Sequence, residues 1–121
     1  MIHESGEDYL ETILLLQNKN GSVRSIDIAR ELEYTKASIS RAMSILKISE
    51  YITVDVSGQI LLTDKGLSKA KEVYERHQLI TNYLIKALGV SEEIASQDAC
   101  RIEHVISKES FEKIKQFVMG E

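Results

Sequence analysis

The sequence predicts a mainly α-helical fold with one β-hairpin: an N-terminal winged helix-turn-helix followed by a C-terminal helical domain. Three observations predict it. Apolar residues recur with a period near 3.6 along most of the 121 residues. Proline is absent, so nothing breaks a helix by removing an amide donor. Between residues 51 and 62 the period changes to two short β-rich runs around a turn.

The elements follow in order. Tyr9, Leu10, Ile13, Leu14 and Leu16 share one side of a helix over residues 4–18, with Glu7, Asp8, Glu11 and Thr12 on the other. Asn18-Lys19-Asn20-Gly21-Ser22 ends it. Ser25 is the expected N-cap of a short second helix to Leu32. Glu33-Tyr34-Thr35 turns the chain, and Thr35 caps a third helix over 36–47, with Ile39, Met43 and Leu46 inward and Ser38, Arg41 and Ser44 outward. Tyr51–Asp55 and Gln59–Leu62 form the hairpin around Val56-Ser57-Gly58. Thr63 caps a long helix over 64–88, stopped by Gly89 and softened at its first turn by Gly66. Ser91 caps a fifth helix to about Ile106, with Glu92 and Glu93 in its first turn. Ser107 or Ser110 opens a sixth, carrying Phe111, Ile114, Phe117 and Val118. The division is expected at residues 1–63 and 64–121.

Composition narrows the function classes. With 43% hydrophobic and 28% charged residues the chain is no disordered segment. One cysteine excludes a disulfide scaffold. Met1–Asp8 has neither a basic n-region nor an apolar h-region, and no run reaches the ~20 apolar residues of a membrane span, so a cytoplasmic location without a membrane partner is expected. The net charge of −4 argues against nucleic acid only until it is divided. Residues 1–18 hold Glu4, Glu7, Asp8 and Glu11 with no Lys or Arg, whereas residues 35–48 hold Lys36, Arg41 and Lys47 with no acid. Phosphate attraction is local, so one basic helix suffices.

Helix, helix-turn-helix and hairpin over residues 4–62 is the order of a winged DNA-binding domain. Thr35, Lys36, Ala37, Ser38, Ser40 and Arg41 lie at the N-terminal end of the third helix, where side chains reach base edges and small residues allow close approach. Arg41 suits a bidentate contact to guanine. Ser25, Lys47 and Ser57 are the further expected DNA contacts.

Three groups of metal-ligating side chains stand out. Asp8 and Glu11 are three apart on the first helix and face the same way. Cys100, Glu103 and His104 fall at i, i+3 and i+4, inside one arc of the fifth helix. His77 lies on the long helix. Together they offer six O, N and S donors, enough for one transition-metal ion or two. No nucleophile–base pair or Gly-rich phosphate loop is visible, and an inverted zincin pattern would need His where Cys100 stands, so no enzyme is expected.

Glu7-Asp8-Tyr9-Leu10-Glu11-Thr12-Ile13, Asp27-Ile28-Ala29, Leu62-Thr63-Asp64-Lys65-Gly66 and Ala99-Cys100-Arg101-Ile102-Glu103-His104-Val105-Ile106-Ser107 carry a resemblance. From Gly6 to about Phe117 the chain resembles the diphtheria toxin repressor and manganese transport regulator family of metal-dependent repressors, in the short form without an SH3-like domain. The resemblance implies a C-terminal metal-binding and dimerisation domain, a homodimer on double-stranded operator DNA, and metal bridging the first helix to later helices. Asp8 and Glu11 match first-helix ligands of the manganese type. His77, Glu103 and His104 match ligands of both branches, and Cys100 one of the iron type. Thr81 and Ser96 stand where the iron branch has ancillary ligands, and Cys100 stands where manganese regulators have a carboxylate.

Metal-free, Asp8, Glu11 and Glu103 repel, and a divalent cation reverses that repulsion. A thiolate with imidazole favours Fe(II), ahead of Mn(II), with Zn(II) or Co(II) as substitutes in vitro. The expected function is a transcriptional repressor of metal uptake genes, with no small-molecule substrate besides the ion. The alternative is a metal-independent winged-helix regulator that senses oxidation through Cys100. Ile94, the sixth helix and the second half of the long helix offer more apolar surface than one small domain covers, which also points to a homodimer.

Overall fold

Six helices and one hairpin follow one another in the order α1 (Glu4–Asn20), α2 (Ser25–Leu32), α3 (Lys36–Ile48), β1 (Ile52–Val54), β2 (Ile60–Leu62), α4 (Asp64–Leu88), α5 (Glu92–Ile102) and α6 (Lys108–Met119). The computed structural model describes residues 4–120, with side chains from Gly6 onward. The chain divides into two compact units, one running through Lys71 and the other starting at Glu72, so that α4 begins in the first and ends in the second.

In the first unit, α1 packs on α2, α2 on α3, α3 on β1, and α1 on β2. Leu10, Ile13, Val23, Ile28, Ile39, Ile52 and Ile60 close its core, each fully buried. Burying one such side chain contributes about 1.5–3 kcal/mol. The turn between α2 and α3 passes through a left-handed Glu33, and Thr35 then caps α3 by accepting the Ser38 amide at 3.1 Å. The wing is antiparallel, with Ile52 opposite Leu62 and Val54 opposite Ile60. Arg24 bridges to Gln59 and the Ile60 amide donates to the Val23 carbonyl, so a short third rung borders β2.

Local chemistry explains most boundaries and corrects two. Thr63 Oγ1 accepts the Gly66 amide at 3.0 Å and donates to the Glu50 carbonyl at 2.7 Å, fixing the start of α4. Gly66 is there because a Cβ would sit 1.9 Å from the Tyr51 carbonyl oxygen. Ser25 is not the N-cap of α2. Arg24 is, and its amide donates to Asp27 Oδ2 at 2.9 Å. Helix α5 ends at Ile102, not near Ile106; residues 103–105 form a turn, although the Ile106 amide still reaches the Ile102 carbonyl at 3.0 Å.

The second unit has its own core of Leu79, Ile80, Ala99 and Phe111, flanked by Leu84, Ile102, Ile106, Ile114 and Val118. Ser91 and Ser107 cap α5 and α6 through the Ile94 and Ser110 amides. Among the described residues, no helix is long and apolar enough to cross a membrane.

Candidate metal centre and nucleic-acid interface

Helix α4 presents His77 and the end of α5 presents Cys100 and Glu103, so the second unit brings an imidazole, a thiol and a carboxylate together. Their ligand atoms all lie within 4.8 Å of one another. His77 Nδ1 lies 2.8 Å from Glu103 Oε1 and 3.8 Å from Cys100 Sγ. Cys100 is exposed, His77 half-buried, and Glu103 entirely buried. The second carboxylate oxygen, Glu103 Oε2, has no hydrogen-bond partner among the described residues; His104 Nε2 is 3.4 Å away. A buried carboxylate oxygen left in this state costs free energy unless a cation satisfies it. The orphaned oxygen and the S, N, O donor set both fit a divalent transition metal.

His77 is the electrostatic hinge of the cluster. Hydrogen bonds to Cys100 and then to Glu103 push its pKa up to about 10, against the opposing effect of burial. In the metal-free protein its imidazole therefore carries a proton at neutral pH. Ser96 and Thr81 both hold His77. Ser96 Oγ lies 3.3 Å from Nε2, and the Thr81 hydroxyl donates to the His77 carbonyl at 2.7 Å.

Asp8 and Glu11 share a face of α1, Glu11 buried and Asp8 half-buried. They belong to the first unit, whereas the three-donor cluster lies wholly in the second. His104 follows Glu103 in the turn after α5.

On α3, Lys36, Ala37, Ser40, Arg41 and Lys47 are all exposed, opposite the buried Ile39, Met43 and Leu46. Thr35 and Ser38 are exposed too, but their hydroxyls bond each other at 2.9 Å. Ser25 sits half-buried in the first turn of α2. Ser57 is exposed at the wing, and its hydroxyl donates to Asp55 Oδ1 at 2.7 Å. Sequence reasoning missed Asp55 and Arg24, which organise that wing. The run Asp55-Val56-Ser57-Gly58 carried the signal for the first, because Asp readily bonds backbone two residues on.

Known proteins match both halves. Residues 1–58 match the N-terminal DNA binding domain of the iron dependent repressors, and residues 63–120 match their metal binding and dimerisation domain. The HTH-type transcriptional regulator MntR of Bacillus subtilis is 33% identical over 118 residues, which is 98% of this chain and 82% of that one. The chain belongs to the iron dependent repressor family. An HTH-type transcriptional regulator of Methanocaldococcus jannaschii is 32% identical over 116 residues, 95% of this chain and 93% of that protein. The solved manganese regulator SloR shares the fold with a TM-score of 0.83 at 25% identity, covering 94% of this chain and 53% of SloR. The chain thus spans about half the length of SloR. That family is one of metal-dependent transcriptional regulators, which favours metal dependence over oxidation sensing alone.

Proposed function

We propose that this protein is a transcriptional repressor that binds double-stranded operator DNA as a homodimer when loaded with Fe(II) or Mn(II), and so controls metal uptake genes. The observation that carries the reading is the His77–Cys100–Glu103 cluster, its ligand atoms within 4.8 Å, in a chain that also carries a repressor DNA binding domain. Residues 1–63 read DNA and residues 64–121 bind metal and dimerise. The protein acts in the cytoplasm and has no catalytic role.

His77, Cys100 and Glu103 would hold the ion, and the family motif adds Asp8, Glu11 and His104. A bound divalent cation supplies the positive charge that these acidic groups lack. With an ion bound, the mutual repulsion of the carboxylates would be relieved, and the buried Glu103 carboxylate would be among the groups that hold it. Loading requires His77 to give up its proton, so ligand binding and proton release are linked. The thiolate of Cys100 favours Fe(II) over Mn(II), while the relatives named for manganese regulation support Mn(II). The ion favours the DNA-competent arrangement only by binding it more tightly than the alternative.

On the DNA side, Ala37, Ser40 and Arg41 enter the major groove, where Arg41 pairs with guanine, and Lys36 at the helix start meets a flanking phosphate. Thr35 caps the helix start, and Ser38 donates its amide to that cap. Ser25, Lys47 and Ser57 meet the phosphate backbone. The test is anaerobic fluorescence anisotropy on the protein's own promoter DNA, with chelator, Mn(II), Fe(II) or Zn(II) at one fixed salt concentration. Binding that requires a metal supports the function; binding indifferent to every metal overturns it.

A further inference from the structure

We propose that Arg24 is a positioning residue for DNA binding, one that bolts the wing to the start of the helix-turn-helix and screens the wing's own carboxylate, Asp55. The proposal rests on the DNA-binding function above.

Arg24 stands at the junction of two elements that meet DNA separately. Its backbone is extended, at φ −124° and ψ 165°, immediately before α2. Its amide donates to Asp27 Oδ2 at 2.9 Å and its carbonyl accepts the Asp27 amide at 3.0 Å, which ties it to the first turn of α2. On its other side it bridges to Gln59, which follows the wing's turn just before β2. The guanidinium then crosses to the tip, where Nη1 donates to the Ser57 carbonyl.

The tip is a closed turn. The Gly58 amide donates to the Asp55 carbonyl at 3.0 Å, and Gly58 takes φ +88°. Asp55 Oδ1 accepts three donors: the Ser57 amide at 2.9 Å, the Ser57 hydroxyl at 2.7 Å and the Gln59 amide at 2.9 Å. These bonds keep the Asp55 carboxyl below its usual range, with Arg24 adding to the effect. The wing therefore carries a fixed negative charge into the neighbourhood of phosphates. A carboxylate there repels DNA unless a cation accompanies it. The Arg24 guanidinium, bonded to the Ser57 carbonyl, brings a positive charge to the same turn, and it also fixes where the turn sits relative to α2 and hence to the recognition helix. Two contacts on one duplex are productive only if their spacing is set beforehand.

The experiment compares the metal-loaded full-length protein with Arg24→Ala, Asp55→Asn and the double variant. Asparagine keeps the oxygen that organises the turn and removes the charge. Operator binding is read by anisotropy at fixed salt, the contact pattern by hydroxyl-radical footprinting, and folding by thermal denaturation. Arg24→Ala is expected to weaken operator binding on the order of tenfold, to lose protection at the outer edges of the site while the centre stays protected, and to leave the thermal midpoint within about 5 °C. In the Asp55→Asn background the same change is expected to cost under about threefold, because the charge to be screened is gone. Equal costs in both backgrounds would show that Arg24 does not screen Asp55 and overturn the proposal. Uniform loss of the footprint, a collapsed thermal midpoint or unchanged affinity overturns it too. Wild-type protein that binds no operator overturns the function and this proposal together, whereas the variant comparisons, made on binding wild type, overturn this proposal alone.

Discussion

His77 and Glu103, 26 residues apart in the chain, meet at 2.8 Å between Nδ1 and Oε1. The same nitrogen faces Cys100 Sγ at 3.8 Å, so three donor types converge on one point. Ser96 Oγ stands 3.3 Å from the other ring nitrogen and holds the imidazole from behind. The partner of the second nitrogen decides which nitrogen faces a metal, and such partners tune affinity nearly as much as the ligands do.

The proposed ligand Cys100 is expected to set metal preference. Cys100→Glu is expected to lower affinity for Co(II), used as a stand-in for Fe(II), by at least roughly tenfold relative to Mn(II). The Co(II)-loaded wild type should show thiolate-to-metal absorption in the near ultraviolet that the variant lacks. An unchanged order of affinities would remove Cys100 from the ligand set.

The raised pKa of His77 fixes the sign of a pH effect. Its value in an unfolded chain is about 6.5, and hydrogen bonds to Cys100 and Glu103 lift it to about 10 in the folded, metal-free protein. The folded state then holds the extra proton, so its stabilisation is fully present below about pH 6.5 and is lost as pH rises through about 10. Urea unfolding of metal-free protein across that window should show a decline that His77→Gln lacks. Metal affinity runs the other way and rises with pH, because the proton must leave.

The recognition helix predicts two distinct variants. Arg41→Ala should cost about 1–3 kcal/mol at one base pair and relax preference there. Lys36→Ala should weaken binding to all sequences alike and reduce the salt slope by about 0.9. A binding titration over single-base operator variants and several salt concentrations separates them. Equal behaviour of the two would contradict the assignment of Arg41 to base reading.

Gly66 answers to packing. A Cβ there would meet the Tyr51 carbonyl oxygen at 1.9 Å and Leu62 Cδ2 at 3.3 Å. Alanine favours helix over glycine by ~1 kcal/mol in an open position, but here Gly66→Ala should destabilise by about 1–3 kcal/mol through forced backbone shift. Thermal denaturation decides the sign, and a raised midpoint would contradict the close approach.

What was legible in the sequence was local. Thr63 and Gly89 bound α4 at the expected residues because a cap and a left-handed glycine act on their own neighbours. Helix α5 ends short of the expected Ile106, although the turn at 103–105 keeps a helical bond from Ile106 to Ile102 and Ile106 still packs on the second core. Apolar spacing does not distinguish such a turn from helix. Arg24 displaced Ser25 as the cap because it bridges to Gln59, a partner remote in sequence. Cys100 and Glu103 are grouped by their i, i+3 spacing, whereas His77, on another helix, is a candidate by residue type alone, because no spacing rule reaches across helices. The convergence of both on a single His77 nitrogen, and the grip of Thr81 and Ser96 on that residue, are tertiary facts.

The central claim is that metal and operator binding are coupled, and coupling is reciprocal. The most direct measurement is metal affinity by competition with a chelating dye, with and without operator duplex, anaerobically and at one salt and pH. Operator DNA should tighten metal binding by the same factor by which metal tightens operator binding. Metal affinity indifferent to operator DNA would contradict the account, even if the protein bound both.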